Sequence, residues 1–201
     1  SGTLKDEQGT VLTAAYKQYA VRANVKVDIS PRLSAGVMIS PNYSVRRDYS
    51  AGLQNLVKMP PFLSPEPRED GTYYKPLDYW GTTVSAAVNP LATLKGSHLY
   101  TNRFNNLGEM FANVNILNGL SFRSSLGINM TYETRDYFTE ARASNSNING
   151  GSAADLRDIN WINENVLTYD RTFNDVHAFT GILGASYQHH SSRGAYLNAV
   201  A

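Results

Sequence analysis

Between Glu109 and Arg135 the chain alternates apolar and polar side chains, broken only at Leu117-Asn118-Gly119. After that break Leu120, Phe122, Leu126, Ile128, Met130 and Tyr132 share one face. Ser121, Arg123, Ser125, Gly127, Asn129, Thr131, Glu133 and Arg135 share the other. Successive side chains of an extended backbone point to opposite sides, so this stretch predicts a β-hairpin closed by a three-residue turn. Its arms exceed the roughly five or six residues usual in a soluble sheet. One side of such a sheet suits water and the other suits hydrocarbon.

The same period recurs along the chain. A run over residues 15–29 puts Tyr19, Val21, Ala23, Val25, Val27 and Ile29 opposite Gln18, Arg22, Asn24, Lys26 and Asp28. The turn Ser30-Pro31-Arg32 leads into residues 33–46, where Pro41, which cannot donate to a ladder, marks a bulge or a weakened strand. Further strands are expected over 103–117, 120–138, 161–173 and 177–189, the last two joined at Asn174-Asp175-Val176. In 161–173 the alternation is weaker, because Asn163, Asn165 and Arg171 share a face with Leu167, Tyr169 and Phe173. Residues 47–102 hold most of the prolines and lose the period, as do the Asn-, Ser- and Gly-rich residues 139–160. A structureless loop as long as the first argues against a compact soluble domain unless the loop is functional.

Three long hairpins with short turns at one end and long, unequal loops at the other have the asymmetry of a bacterial outer-membrane barrel. On that reading the short turns are periplasmic and residues 47–102 and 139–160 are extracellular loops. Aromatics on the apolar face, Tyr19, Tyr43, Phe104, Tyr132, Trp161 and Tyr187, each stand about 11 to 13 residues from a short turn. At ~3.3 Å per residue and ~40° of tilt they mark a height of about 30 Å, near the ~25 Å apolar band between aromatic girdles. The placement expected for the central hairpin is Phe104 and Tyr132 at one height, pointing away from Arg123 and Asn129. Mean hydropathy of −0.36 does not oppose this, because strands that alternate apolar-out and polar-in average to modest values.

Composition removes other classes. A net charge of +1, from 18 basic and 17 acidic residues, lacks the footprint of a nucleic-acid binder. The absence of cysteine excludes disulfides, thiolate metal sites and cysteine nucleophiles. No apolar run is long enough for a membrane-spanning helix. No nucleophile-elbow, phosphate-loop or zinc-protease motif occurs, so neither an enzyme nor a cofactor is expected.

The wording of the chain carries a resemblance. NPLATL (Asn89 to Leu94), NNLGEMFANVNILNGLSFRSSLGIN (Asn105 to Asn129), RDYF (Arg135 to Phe138) and WINENVLTYDRTFNDVHAFTGILGASYQ (Trp161 to Gln188) follow one another in an order that resembles the SusC/RagA family of TonB-dependent outer-membrane transporters of Bacteroidetes. The opening SGTLKDEQG and YKQYAVRANVKVDISPRLSAGVMISPNYS is similar to an earlier hairpin of the same barrels. The resemblance implies an all-β fold of antiparallel up-and-down hairpins forming part of a large, 22-stranded transmembrane β-barrel that imports glycans or oligopeptides. It implies a SusD-like surface lipoprotein and the TonB complex as partners, a location in the outer membrane, and contact with membrane lipid. The chain lacks the signal sequence, plug and TonB box of that family, and six strands do not close such a barrel. A middle piece of the barrel, unable to transport or insert alone, is therefore expected.

Candidate sites are few. Tyr73, Tyr74, Tyr79 and Trp80 in the first long loop offer flat rings for stacking on a sugar or packing on a partner lipoprotein. The alternative is that they pack the loop against itself. Arg22, Asn24, Arg46, Arg123, Asn129 and Arg135 are expected to face the lumen, where they meet cargo, plug or water. His98, His177, His189 and His190 do not make a metal site, because adjacent strand residues face opposite sides and no third ligand is fixed. Glu69 and Asp70 lie in an open loop without the burial that shifts a pKa for acid–base work. A soluble β-sheet module that binds ligand or adheres through long loops remains the competing function.

Overall fold

Alternation of this kind is realised as eight strands: β1 (Gly2–Gln8), β2 (Ala15–Val21), β3 (Ala23–Ser30), β4 (Leu33–Asp48), β5 (Ser97–Leu117), β6 (Leu120–Thr139), β7 (Gly150–Phe173) and β8 (His177–Val200). The computed structural model describes residues 1–48, 59–80, 88–144, 147–174 and 176–200, without the side chains of Leu77 and Trp80. All eight strands form one antiparallel sheet in the order β1-β2-β4-β5-β6-β7-β8, with β3 also paired to β4. Among the described residues between β4 and β5 are two short helices, α1 (Leu77–Trp80) and α2 (Pro90–Gly96). Helix α2 starts where Asn89 caps the Leu91 amide and Pro90 supplies a pre-set first turn.

Several strands run further than their apolar pattern. β5 begins at Ser97 rather than 103, β7 at Gly150 rather than 161, and β8 continues to Val200 rather than 189. β1 occupies residues that the alternation does not mark as a strand. In these extensions polar side chains stand on both faces, so alternation no longer marks the strand. Cross-strand hydrogen bonding still satisfies the backbone, and pairing continues without it. The expected strand over 15–29 is divided at Arg22 into β2 and β3. Both nevertheless keep one register on β4, with Ala20 opposite Asn42 and Ala23 opposite Ile39. Pro41 lies inside β4 opposite Asn106 without shifting the register.

The register fixes the faces. Phe104 pairs directly with Tyr132, whereas Arg123 pairs with Asn113 and Asn129 with Leu107. The two rings therefore stand at one level on the face opposite Arg123 and Asn129, as expected. That level continues as Tyr19, Tyr43, Phe104 and Tyr132 across β2, β4, β5 and β6. Ten residues below it the same face presents Leu33, Val114, Phe122, Leu167 and Leu183 in one row. Ten residues at ~3.3 Å and ~40° of tilt span about 25 Å of height. Between these two rows the face carries no Asp, Glu, Lys or Arg on β4 to β8.

Trp161 and Tyr187 fall four and six residues below the level of Tyr132, beside Ile128 and Leu126. The turns drop in the same direction: Leu33 pairs with Val114, but the third hairpin closes lower, at Phe173 and His177. A stagger of this kind accompanies strands tilted to the axis of a barrel. The aromatics therefore keep their distance from the turns while leaving the hydrogen-bonded row.

The central turn is tighter than expected, with Leu117 facing Leu120 across Asn118-Gly119 and a register shift between Asn115 and Leu117. Gly119 has φ of +85°, a region open to glycine and strained for other residues, and an added Cβ would collide with the Asp170 carbonyl oxygen. The Gly119 carbonyl also accepts the Asp170 amide at 2.7 Å, tying the turn to β7. Gly119→Ala is expected to cost at least about 1–3 kcal/mol. Gly150→Ala, where a Cβ meets open space, is expected to be nearly neutral. Thermal loss of heat-modifiable gel mobility of the two variants checks this, and equal midpoints would refute it.

Candidate functional site

Of the two faces, the one opposite the aromatics carries a polar lattice built from every second residue. Phe111 lies across Gly36, where an added Cβ would come within 2.5 Å of the ring. The Arg123 guanidinium lies 4.3 Å over the same ring while donating to Asn113 Oδ1 at 3.2 Å and Glu109 Oε1 at 3.1 Å. Asn105 donates to Asn129 Oδ1 and Thr131 Oγ1. Higher up, Glu133 accepts from Arg135 Nε at 2.7 Å and pairs with Arg103 at 3.7 Å. Gln188 donates to Asn160 at 3.0 Å, and His190 lies 3.4 Å from Asp158.

The expected lumen residues enter this lattice unequally. Arg46 and Arg135 flank Thr101 in one row, and Arg46 pairs with Asp48 at 2.9 Å. Asn24 lies on the same face opposite Met38. Arg22 sits at the break between β2 and β3, its amide bonded to the Ser1 carbonyl. Sequence reading did not name Glu109, Arg103, Asn105, Asn113 and Gln188 as lumen candidates, although the parity that selected Arg123 and Asn129 selects them too, and Asn160 fell in an expected loop.

Above β4 and β5, residues 59–80 and 88–96 build a small core from Leu63, Tyr73, Pro76, Asn89, Ala92 and Leu94, all buried. Asn89 is its hub: Oδ1 accepts from the Leu91 amide, and Nδ2 donates to the carbonyls of Ser64 and Tyr74. Lys75 reaches the loop after β6, donating to the Ser144 carbonyl at 3.0 Å and Asn147 Oδ1 at 2.9 Å. Arg68 bonds Asp78 at 2.6 Å and lies 4.4 Å over the Tyr74 ring. The hydroxyl and amide of Thr72 hold the Asp70 carboxyl below the usual aspartate range. An apolar cleft of about 290 Å³ opens beside this core between Leu12, Met59, Leu63, Pro65 and Leu94.

The loop aromatics divide accordingly. Tyr73 is only 5% exposed and bridges Pro67, so its ring packs the loop instead of facing a ligand. Tyr74 is partly covered by Arg68. Tyr79 is exposed and meets exposed Phe62 edge-on at 6.0 Å. The Trp80 side chain lies outside the described residues. The four histidines are dispersed: His98 stacks on Phe138 and lies 3.7 Å from Glu140, His189 meets Trp161, and His177 pairs with Phe173 at the turn. No cluster of three or more metal-ligating His, Asp or Glu occurs among the described residues.

No protein-family model matches the chain. It is 26% identical over 187 residues to TonB-dependent receptor P26 of Formosa agariphila, covering 91% of this chain and 18% of that protein. It is 26% identical over 201 residues to TonB-dependent receptor P39 of the same organism, covering 97% and 18%. The chain thus spans under a fifth of the length of these curated relatives. Its fold is similar to that in the structure of the RagAB peptide transporter, with TM-score 0.68, 19% identity, and coverage of 92% of this chain and 22% of that one. The RagAB peptide importer in its closed-closed state gives TM-score 0.72 at 20% identity, over 96% and 23%. The resemblance to SusC/RagA-type TonB-dependent transporters, and the antiparallel all-β fold, are borne out.

Asn89→Ala removes a cap, typically ~1 kcal/mol, and leaves buried carbonyls unpaired at about 1–3 kcal/mol each. The variant is expected to open residues 59–96 to limited proteolysis while strand content by circular dichroism stays unchanged. Unaltered protease resistance would refute the hub role.

Proposed function

We propose that this chain forms part of the wall of an outer-membrane β-barrel importer energised through TonB. The observation that carries the reading is the register-defined outward face, uncharged on β4 to β8 across about 25 Å of height, backed by a continuous polar lattice. The apolar side chains of that face are not tucked into a core: Val25, Val37, Met110, Leu183 and Tyr187 are 47 to 71% exposed. Every buried apolar side chain among the described residues belongs to the loop core or the segment after β6. A soluble sheet would leave this surface in water, whereas a bilayer covers it. The outer edges of β3 and β8 bear backbone groups unpaired among the described residues, and further strands of a 22-stranded barrel would satisfy them.

On this reading Asn24, Arg46, Arg123, Asn129 and Arg135 face the lumen, and Arg22 stands at its edge. Cargo is a glycan or an oligopeptide, for which the guanidinium and amide groups of the lattice supply donors and acceptors. A SusD-like lipoprotein meets the barrel from above, where Tyr79 presents an exposed ring and Tyr73, Tyr74 and Trp80 belong to the same loop. The similarity to RagAB peptide transporter structures supports oligopeptides as one cargo class.

This chain has no cysteine, so a cysteine introduced into it is the one labelling site within it. In the full-length protein in outer membranes, Asn129→Cys is expected to react with a water-soluble maleimide and Ile128→Cys only with a lipid-soluble one. Equal labelling of both by the water-soluble reagent would support the soluble ligand-binding sheet and overturn the membrane reading. Ile128→Arg is expected to destabilise by about 2–4 kcal/mol, the cost of a charge near the lipid midplane. Asn129→Arg is expected to cost much less, with urea unfolding as the measure.

A further inference from the structure

We infer that the connection before β5 and the connection after β6 open as one unit, held together by a glycine seam and a lysine clasp. The seam lies where α2 ends. Gly96 carries no side chain there, and its carbonyl accepts the Glu140 amide at 2.8 Å. A Cβ added at Gly96 would come within 2.7 Å of the Ala143 Cβ, so the end of α2 and the 3-10 turn Ala141–Ala143 meet backbone against methyl. Ala143 is 3% exposed. A close-packed contact of this kind is lost when either partner moves.

The clasp comes from another part of the first connection. Lys75 Nζ donates to the Ser144 carbonyl and to Asn147 Oδ1, both on the second connection. The Lys75 amide meanwhile donates to Asp78 Oδ2 at 3.0 Å, on the carboxylate that Arg68 also holds. On the far side, Asn147 has φ of +53°, a left-handed conformation that asparagine tolerates better than most residues. Asn149 Oδ1 accepts the Ala141 amide at 2.7 Å, which closes the second connection on itself just before β7 begins at Gly150.

Seam and clasp share one support. Asn89 caps the helix that ends at Gly96, and its Nδ2 holds the Tyr74 carbonyl, next to Lys75 in the chain. Loosening Asn89 therefore withdraws both attachments together, and local opening in proteins proceeds in such cooperative units. A displacement of the connection that bears the exposed Tyr79 ring is thus delivered to the top of β7. The inference needs no bilayer and goes beyond the importer reading.

The test is hydrogen–deuterium exchange, read by mass spectrometry, on the full-length protein in nonionic-detergent micelles. Lys75→Met is expected to speed exchange in residues 140–144 about tenfold, the scale of one lost charge-assisted hydrogen bond. Asn89→Ala, which changes nothing in the second connection, is expected to speed exchange in 140–144 by the same factor as in 63–74. If 63–74 opens in that variant while 140–144 keeps the wild-type rate, the connections are independent and the inference is overturned. An unchanged rate in Lys75→Met overturns it equally. Residues 120–130 of β6 should keep wild-type exchange in both variants, because the unit opens above an intact sheet. A rise there matching that in 140–144 makes the opening global and also overturns the inference.

Discussion

On the proposed membrane reading the backbone of this sheet meets hydrocarbon and must satisfy its own hydrogen-bonding groups, and the rest of the structure depends on that requirement. A strand leaves its N–H and C=O groups at its edges, so it needs a partner along its whole length in lipid. The ladders provide this on both edges of β6, on both edges of β7 from Gly150 to Tyr169, and along one edge of β8. Once the backbone is satisfied, side chains are sorted only by parity. Parity then separates an apolar face from the polar lattice containing Arg123, Glu109 and Asn129.

The sheet and the loop core solve different problems. In the sheet, apolar area remains exposed and its stabilisation depends on the surrounding solvent. Around Asn89, a few buried side chains and three side-chain hydrogen bonds order a proline-rich segment in the ordinary way of soluble domains. Lys75 joins that core to the loop following β6, so two connections separated in sequence are fastened above the same strands.

The faces of β4, β6 and β8 were legible in the sequence because inside an apolar band every second residue must be apolar. Where the band ends, the signal ends with it. Ser97 to Asn102, Gly150 to Asn160 and His190 to Val200 are strands with polar side chains on both faces, and nothing in their polarity distinguishes them from loop. Gly2–Gln8 was hidden for the same reason. Tyr73 and Tyr79 show the corresponding limit for sites: both are loop tyrosines, and only the packing of the folded loop, which buries the first and leaves the second exposed, tells them apart.

The strict pairing of Tyr19, Tyr43, Phe104 and Tyr132 across four strands also limits how such a chain can change in length. One residue inserted within the band would exchange the two faces for the remainder of that strand, placing arginine toward hydrocarbon and leucine toward water. Two residues inserted together would keep the faces and move only the height. Inside the bilayer, drift in length therefore proceeds in steps of two, while the connections above β4 and β6 accept any number. On the proposed reading, variation in length is channelled into those upper segments, and the wall beneath them behaves as a fixed grammar.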